Sequence, residues 1–328
     1  MKMTEKILPS TTIGVDLGGT KVAAAILDGE GHILNSHKYP TNSEEGSDSV
    51  VEDLVGCITE LLQQEKYNPK ALGIGVAGQI DVNGMVRSAP NLNWHDVPLK
   101  TRLEEKLGLP VIVTNDVRAA TLGEWEYGSG KGVNDLVVLF VGTGIGGGVI
   151  NNGRLLTGCT NTAGELGHIT IVVDGRNCHC PKRGCMEAYG GGWAIAERAQ
   201  NAVCNDSSAG KTLLEIAGHA EQITAATVSK AYHDGDKLAL NLVMETSRYI
   251  AAGVSSIVNA FNPCLIVLGG GVIEGIPELI QMIEEQTKKE ALKPAIENLK
   301  FTKASLGGEA GVVGAAALAQ HKLNGTIS

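Results

Sequence analysis

The 328-residue chain predicts a mixed α/β protein of two domains. Its length exceeds what a single core usually fills. Runs of strand-like apolar residues alternate with helical spacings along most of the chain, which calls for a mixed sheet with helices against it in each half. One pattern also occurs twice, at residues 13–34 and again from residue 136: strand, Gly/Thr turn, strand, polar turn with glycine, strand. Such a repeat suggests duplicated domains facing one cleft, each presenting glycine-rich backbone amides to a polyphosphate.

Composition narrows the function classes. A hydrophobic share of 43% suits a globular protein, and 43 glycines beside 4% aromatic residues point to close backbone approaches, as in folds that wrap phosphates. A net charge of -9 without a long basic run argues against nucleic acid as a partner. Seven cysteines, an odd number, fit a reducing cytosol better than a disulfide framework. No apolar leader is visible at the start, and the longest apolar run, residues 136–150, holds five glycines and falls short of a membrane span. The expectation is a soluble, cytoplasmic protein with no membrane partner.

In chain order, T-T-I-G-V-D-L at 11–17 reads as a strand, G-G-T as a hairpin turn, and residues 22–27 and 32–39 as two more strands. A Gly-Gly pair alone is most often just a turn; the second copy, L-V-V-L-F-V-G-T-G-I-G-G-G-V-I, gives it weight. Apolar spacing predicts helices over 47–65, 99–107, 117–127, 190–203, 224–233, 237–261, 277–290 and 309–321. Buried strands are expected at 71–77, 110–113, 263–272, the last entering a third glycine turn, and 299–304. Neither glycine hairpin is a Walker A loop, and neither is G-x-G-x-x-G opening a helix.

The chemistry centres on residues 163–187, A-G-E-L-G-H-I-T-I-V-V-D-G-R-N-C-H-C-P-K-R-G-C-M-E. Cys178, Cys180 and Cys185 place three soft ligands within eight residues, and His168 is the nearest upstream imidazole to complete a closed, structural Cys3His zinc site. A redox thiol pair, a disulfide, or buried cysteines beside a surface histidine are the alternatives. Zinc would gather Glu165 and Glu187, and would fix the second nitrogen of His168 in direction toward a ligand hydroxyl. Stripping it should then loosen that ligand side of the site and leave the phosphate hairpins untouched.

D-L-G-G-T-K at 16–21, N-D at 115–116, V-G-T-G-I-G-G-G at 141–148, A-G-E-L-G-H, C-x-C-x4-C-x-E and L-G-G-G-V at 268–272 together resemble the ROK family of sugar kinases and repressors, over nearly the whole chain. A-P-N-L-N-W at 89–94 makes the match closest to the family's bacterial glucokinases, although its N-acetylmannosamine kinases share most of these motifs. Pro181 departs from the glycine usual after the second cysteine and puts the local loop shape in question. The resemblance implies an actin-like ATPase (ribonuclease H-like) fold, two lobes with a cleft between them. The expected division is a small lobe of residues 1–115, with helix 309–328 packing back on it, and a large lobe of 116–308 carrying the zinc loop.

By the same resemblance, Asp116 is the general base that takes the proton of the 6-hydroxyl of glucose while ATP supplies the phosphoryl group. A helix cap is the ordinary meaning of Asn or Asp after a strand, and explains one of the pair Asn115 and Asp116. Gly78, Asn91, Asn115, Asp116, Glu165, His168 and Glu187 are the implied sugar contacts; surface carboxylates are the plainer reading of the two glutamates. Gly18, Gly19, Thr20 and Lys21 would meet one side of the nucleotide phosphates and Gly142, Thr143, Gly144 and Gly146 the other. Asp16 would hold Mg2+, and Gly269, Gly270 and Gly271 would let adenine pass close to the backbone. A homodimer or homotetramer is implied as well. The rival reading, a sugar-sensing repressor, is disfavoured because only fifteen residues precede Asp16, too few for a helix-turn-helix domain.

Overall fold

The computed structural model describes residues 11–63, 67–206 and 208–325. The chain forms two compact units. One runs to Gly132 and takes in Thr157–Ala163 and the residues from Ser305 onward; the other comprises Val133–Leu156 and Gly164–Ala304.

The first unit opens with β1 (Thr11–Leu17), β2 (Lys21–Leu27) and β3 (Ile33–Pro40), then α1 (Gly46–Leu62). Residues 64–66 at the foot of the expected helix lie outside the described residues. Next come β4 (Pro69–Val76), the short β5 (Gln79–Ile80), β6 (Val86–Ala89) and β7 (Trp94–Val97), α2 (Leu99–Leu107), β8 (Val111–Asn115) and α3 (Asp116–Glu126). Its main sheet has the order β3-β2-β1-β4-β8, with β1 antiparallel to β2 and parallel to β4. Central β1 is buried almost throughout, while edge strand β3 alternates between half-buried and exposed, as a strand with one covered face should. β5, β6 and β7 form a separate three-stranded sheet.

The second unit repeats the plan. β9 (Leu136–Val141), β10 (Ile145–Asn151) and β11 (Arg154–Leu155) make the meander; α4 (Glu187–Gly190), α5 (Gly192–Asn205), α6 (Lys211–Ala217), α7 (Ala225–His233) and α8 (Lys237–Phe261) follow. β12 (Leu265–Gly269), α9 (Gly271–Gly275), α10 (Glu278–Glu290), α11 (Lys293–Ile296) and β13 (Lys300–Lys303) complete it. The sheet order β11-β10-β9-β12-β13, an antiparallel meander extended by two parallel strands, matches that of the first unit. The duplication read from the glycine hairpins is therefore a duplication of whole sheets. α8 is begun by Asp236, whose carboxylate accepts from the Ala239 N–H at 2.9 Å, and is ended by Asn262 in the left-handed conformation. Twelve of its 25 residues are buried in the core of this unit.

α12 (Ala310–Leu323) belongs to the first unit, and every residue from Ala310 to Ala319 is buried. A helix made almost entirely of alanine, glycine and valine is slim enough to be enclosed this way between a sheet and another helix. Its backbone passes so close to β1, β4 and α3 that a Cβ on Gly14, Gly73 or Gly314 would collide with a carbonyl. α3 is α12's partner, and this packing keeps residues 116–132 in the first unit, whereas the sequence reading placed the boundary after residue 115.

Candidate active site

In the first unit, β8 ends at Asn115 and α3 starts at Asp116, so the N-D pair straddles a strand-to-helix turn. Asn115 is the cap: its Oδ1 accepts from the Arg118 N–H at 3.1 Å, while its amide group donates to the Gly78 carbonyl at 3.2 Å and to Asp116 Oδ1 at 2.9 Å. Asn115 thus holds the Gly78 backbone and the Asp116 carboxylate together, and a sugar contact by its amide would compete with bonds already made. Asp116 is left half-buried on the first turn of α3, its carboxylate at the positive end of the helix dipole.

Asp16, on β1, is close enough to feel that charge. Burial first, then repulsion from Asp116, push its carboxyl up to about 6 against a partial counterweight from Lys21. Asp16, with a second carboxylate near it, offers the hard oxygen donor that a divalent cation takes, and is the residue that would hold Mg2+ here. Beside it the hairpin turn is closed by the Gly18 N–H donating to Lys21 O at 3.0 Å and pinned by the Thr41 hydroxyl on Gly18 O at 2.9 Å. Gly19 has no room for a Cβ, which would stand 2.6 Å from the Asn91 carbonyl oxygen. Asn91, on a short turn of Pro90–Leu92, therefore sits over this hairpin, with Thr20 and Lys21 exposed at its edge.

The second unit gathers the remaining residues. The side chains of His168, Cys178, Cys180 and Cys185 place one ligand atom each within 4.8 Å of one another. Cys180 and Cys185 sulfurs stand 3.7 Å apart, and Cys178 Sγ lies 3.7 Å from His168 Nδ1. The edges of a tetrahedral zinc site with thiolate and imidazole ligands are about 3.6–3.8 Å, so these two distances match and the donor set fits the metal in kind and number. Without a cation, burial pushes the Cys178 thiol up to about 12 and the Cys185 thiol up as well. Nδ1 of His168 faces the Cys178 sulfur, and Nε2 is the nitrogen left over.

Glu187, the first residue of α4, is more engaged than expected. Its Oε2 accepts from the Ile145 N–H at 2.8 Å, directly after the Gly142–Thr143–Gly144 turn, and its Oε1 lies 3.8 Å from Cys178 Sγ and 3.5 Å from Trp193 Nε1. A Cβ on Gly144 would strike this carboxylate, so that glycine serves Glu187 rather than an approaching phosphate. Around a Cβ on Gly142, by contrast, there is open space. Glu165 is exposed just ahead of the short turn Leu166–His168. Gly146 lies inside β10, paired with Phe140, rather than in the turn.

A largely apolar cavity of about 740 Å³ opens beside this hairpin. Gly142, Thr143 and Gly271 line it, with Trp193, Thr224 and Lys230 among residues that sequence reading did not single out. Gly269 and Gly270 are absent from its wall: Gly269 packs on Phe140 and Ala304, and Gly270, at φ +89°, lies against the Val141 backbone. The cavity residues come from five separate helices and carry no common spacing; the Gly/Thr turn and Gly271 of the third glycine turn marked the place.

Two sheets of one order, each with its first hairpin turning on glycine and threonine, define an actin-like ATPase. Within that class the chain belongs to the ROK family, whose model matches residues 12–322. A glucokinase of Halalkalibacterium halodurans is 34% identical over 95% of this chain and 96% of its own length. The ROK family glucokinase of Streptomyces griseus, solved in complex with glucose and AMPPNP, superimposes with a TM-score of 0.82 at 34% identity, covering 95% of this chain and 100% of that one. The xylose repressor of Bacillus spizizenii is 29% identical over 92% of this chain and 75% of the repressor.

Proposed function

We propose that this chain is an ATP-dependent hexose kinase that phosphorylates the 6-hydroxyl of glucose. The observation that carries the reading is the second unit's hairpin. Thr143 lines a cavity large and apolar enough for a base and ribose, while the residue after the turn, Ile145, is bonded to Glu187 beside the His168 and cysteine cluster. Nucleotide and sugar subsites thus share one short piece of backbone.

In this reading Asp116 accepts the proton of the attacking hydroxyl, held in place by Asn115. Glu165, His168 and Glu187 accept hydrogen bonds from the sugar's other hydroxyls, with Gly78 and Asn91 as further contacts. Gly18–Lys21, Gly142 and Thr143 meet the phosphates. His168, Cys178, Cys180 and Cys185 would hold a structural zinc ion, which with four protein ligands keeps no open position and contributes rigidity rather than a reacting group. Asp16 would hold Mg2+, whose contribution is neutralisation of phosphate charge. An apolar cavity supports a nucleoside triphosphate over polyphosphate as the donor.

A coupled assay over a panel of hexoses and N-acetylhexosamines, with ATP and polyphosphate as alternative donors, tests the proposal; glucose with ATP is expected to turn over best. The similarity to a xylose repressor supports a second reading, a sugar-responsive regulator. Sugar binding without turnover on any donor would favour it.

A further inference from the structure

Trp193 stands where three parts of the second unit meet. Its backbone N–H donates to the Thr143 carbonyl at 3.0 Å, beside a matching bond from the Gly192 N–H to Gly142 O at 2.9 Å. Its indole Nε1–H points to Glu187 Oε1 at 3.5 Å. Its ring stacks on the imidazole of His179 with centroids 4.0 Å apart and planes 18° from parallel. His179 is the residue between Cys178 and Cys180, so it moves with the cysteine loop, and Trp193 is also part of the wall of the 740 Å³ cavity. A residue needed only for core packing would be buried on all sides; this one is half-exposed and bonded in three directions.

We propose that Trp193 is a positioning residue that couples the cysteine loop to the phosphate hairpin. The loop holds the indole plane through His179; the indole holds Glu187 through Nε1; the start of α5 holds the carbonyls of Gly142 and Thr143 and so the direction in which the turn presents its amides. Loosening the cysteine loop therefore loosens both substrate sides at once, against the sequence expectation that only the sugar side would respond. The nucleotide part of this inference rests on the proposed kinase reading; the mechanical part does not.

The test uses the full chain as purified, with His179→Ala and Trp193→Phe as probes. His179 is exposed, so its removal spares the fold and the four candidate ligands. An aromatic pair is worth about 0.5–1.5 kcal/mol, or roughly 2- to 12-fold. His179→Ala should keep its zinc content and weaken binding of a non-hydrolysable ATP analogue by about that factor. Trp193→Phe keeps a stacking ring but loses the Nε1–H, so it should raise the sugar KM. In parallel, amide hydrogen exchange at residues 142–145 should speed up when a chelator strips the parent chain, and be fast in His179→Ala before any chelator is added. If exchange at the hairpin responds but no nucleotide binds, the kinase reading fails and the coupling stands. Unchanged exchange at 142–145 in both the stripped parent and His179→Ala overturns the coupling.

Discussion

The two glycine hairpins share strand order and a turn of glycine and threonine, yet they are held by opposite means. The first carries charge on its own strands: Asp16 precedes the turn and Lys21 follows it, with Thr41 bonding both Gly18 O and Thr20 O. The second has no ionisable residue between Leu136 and Asn151 and borrows its support from afar, a carboxylate 42 residues downstream and the first two amides of α5. Duplicated backbone thus leaves the electrostatics free to diverge. One copy tunes a carboxyl group on the strand itself; the other answers to the loop that also holds the cysteines.

The largest effect expected from breaking this division lies in the first unit. Asp116→Asn keeps shape and removes the proton acceptor, so kcat should fall on the order of 10²-fold or more with little change in sugar affinity, measured by steady-state kinetics and calorimetry. A kcat close to the parent's would reduce Asp116 to a helix-start carboxylate. In the second unit, Gly144→Ala forces a methyl group onto Glu187 and should disturb both substrates, raising each KM several-fold and costing about 1–3 kcal/mol of stability. Gly142→Ala meets open space and should leave stability unchanged, so equal melting temperatures for the two variants would contradict the proposed division of labour. Cys180→Ser should lower bound zinc below one per chain, by plasma emission, and lower the melting temperature; full zinc occupancy with unaltered stability would remove the metal from this account.

The smallest effect concerns Asp16 and sharpens the contrast. Its carboxyl rises from 3.8 to about 6 on folding, so the folded chain binds this proton more tightly than the unfolded one. The stability it contributes is fully present below pH 3.8 and is lost as pH climbs through about 6. Asp16→Asn should therefore stabilise the protein above pH 6, on the order of 1 kcal/mol once nearby Lys21 and solvent are allowed for, and make no difference near pH 3.5. A denaturant series at several pH values would show it, and a variant destabilised at pH 7 would refute the assignment of strain to this carboxylate.

What could be read from the sequence was local. Both meanders were legible because period-2 apolar runs and Gly/Thr turns lie within some twenty residues, and α2, α7, α8 and α10 because their apolar spacing repeats over several turns. The cysteine cluster was legible for the same reason, with His168 ten residues away from Cys178. The sheet of β5, β6 and β7 escaped notice: strands of two to four residues hold too few alternations to stand out. α6 is seven residues long with one buried side chain. Trp193 gave no signal, because an aromatic residue at the start of an amphipathic helix is most often core. That Gly144 yields to Glu187, and that Asn115 ties Gly78 to Asp116, depends on residues brought together only by the fold.

The burial of α12 bears on how the chain is made. Residues of β1, β4 and α3 are synthesised early, but the helix that covers them follows the whole of the second unit in the sequence. The first unit thus leaves the ribosome with one face of its sheet bare, while the second can close around α8 and β12 before residue 310 appears. Nascent chains halted near residue 304 should accordingly recruit holding chaperones through the β1 and β4 face, and the part that starts the polypeptide is the part that finishes folding last.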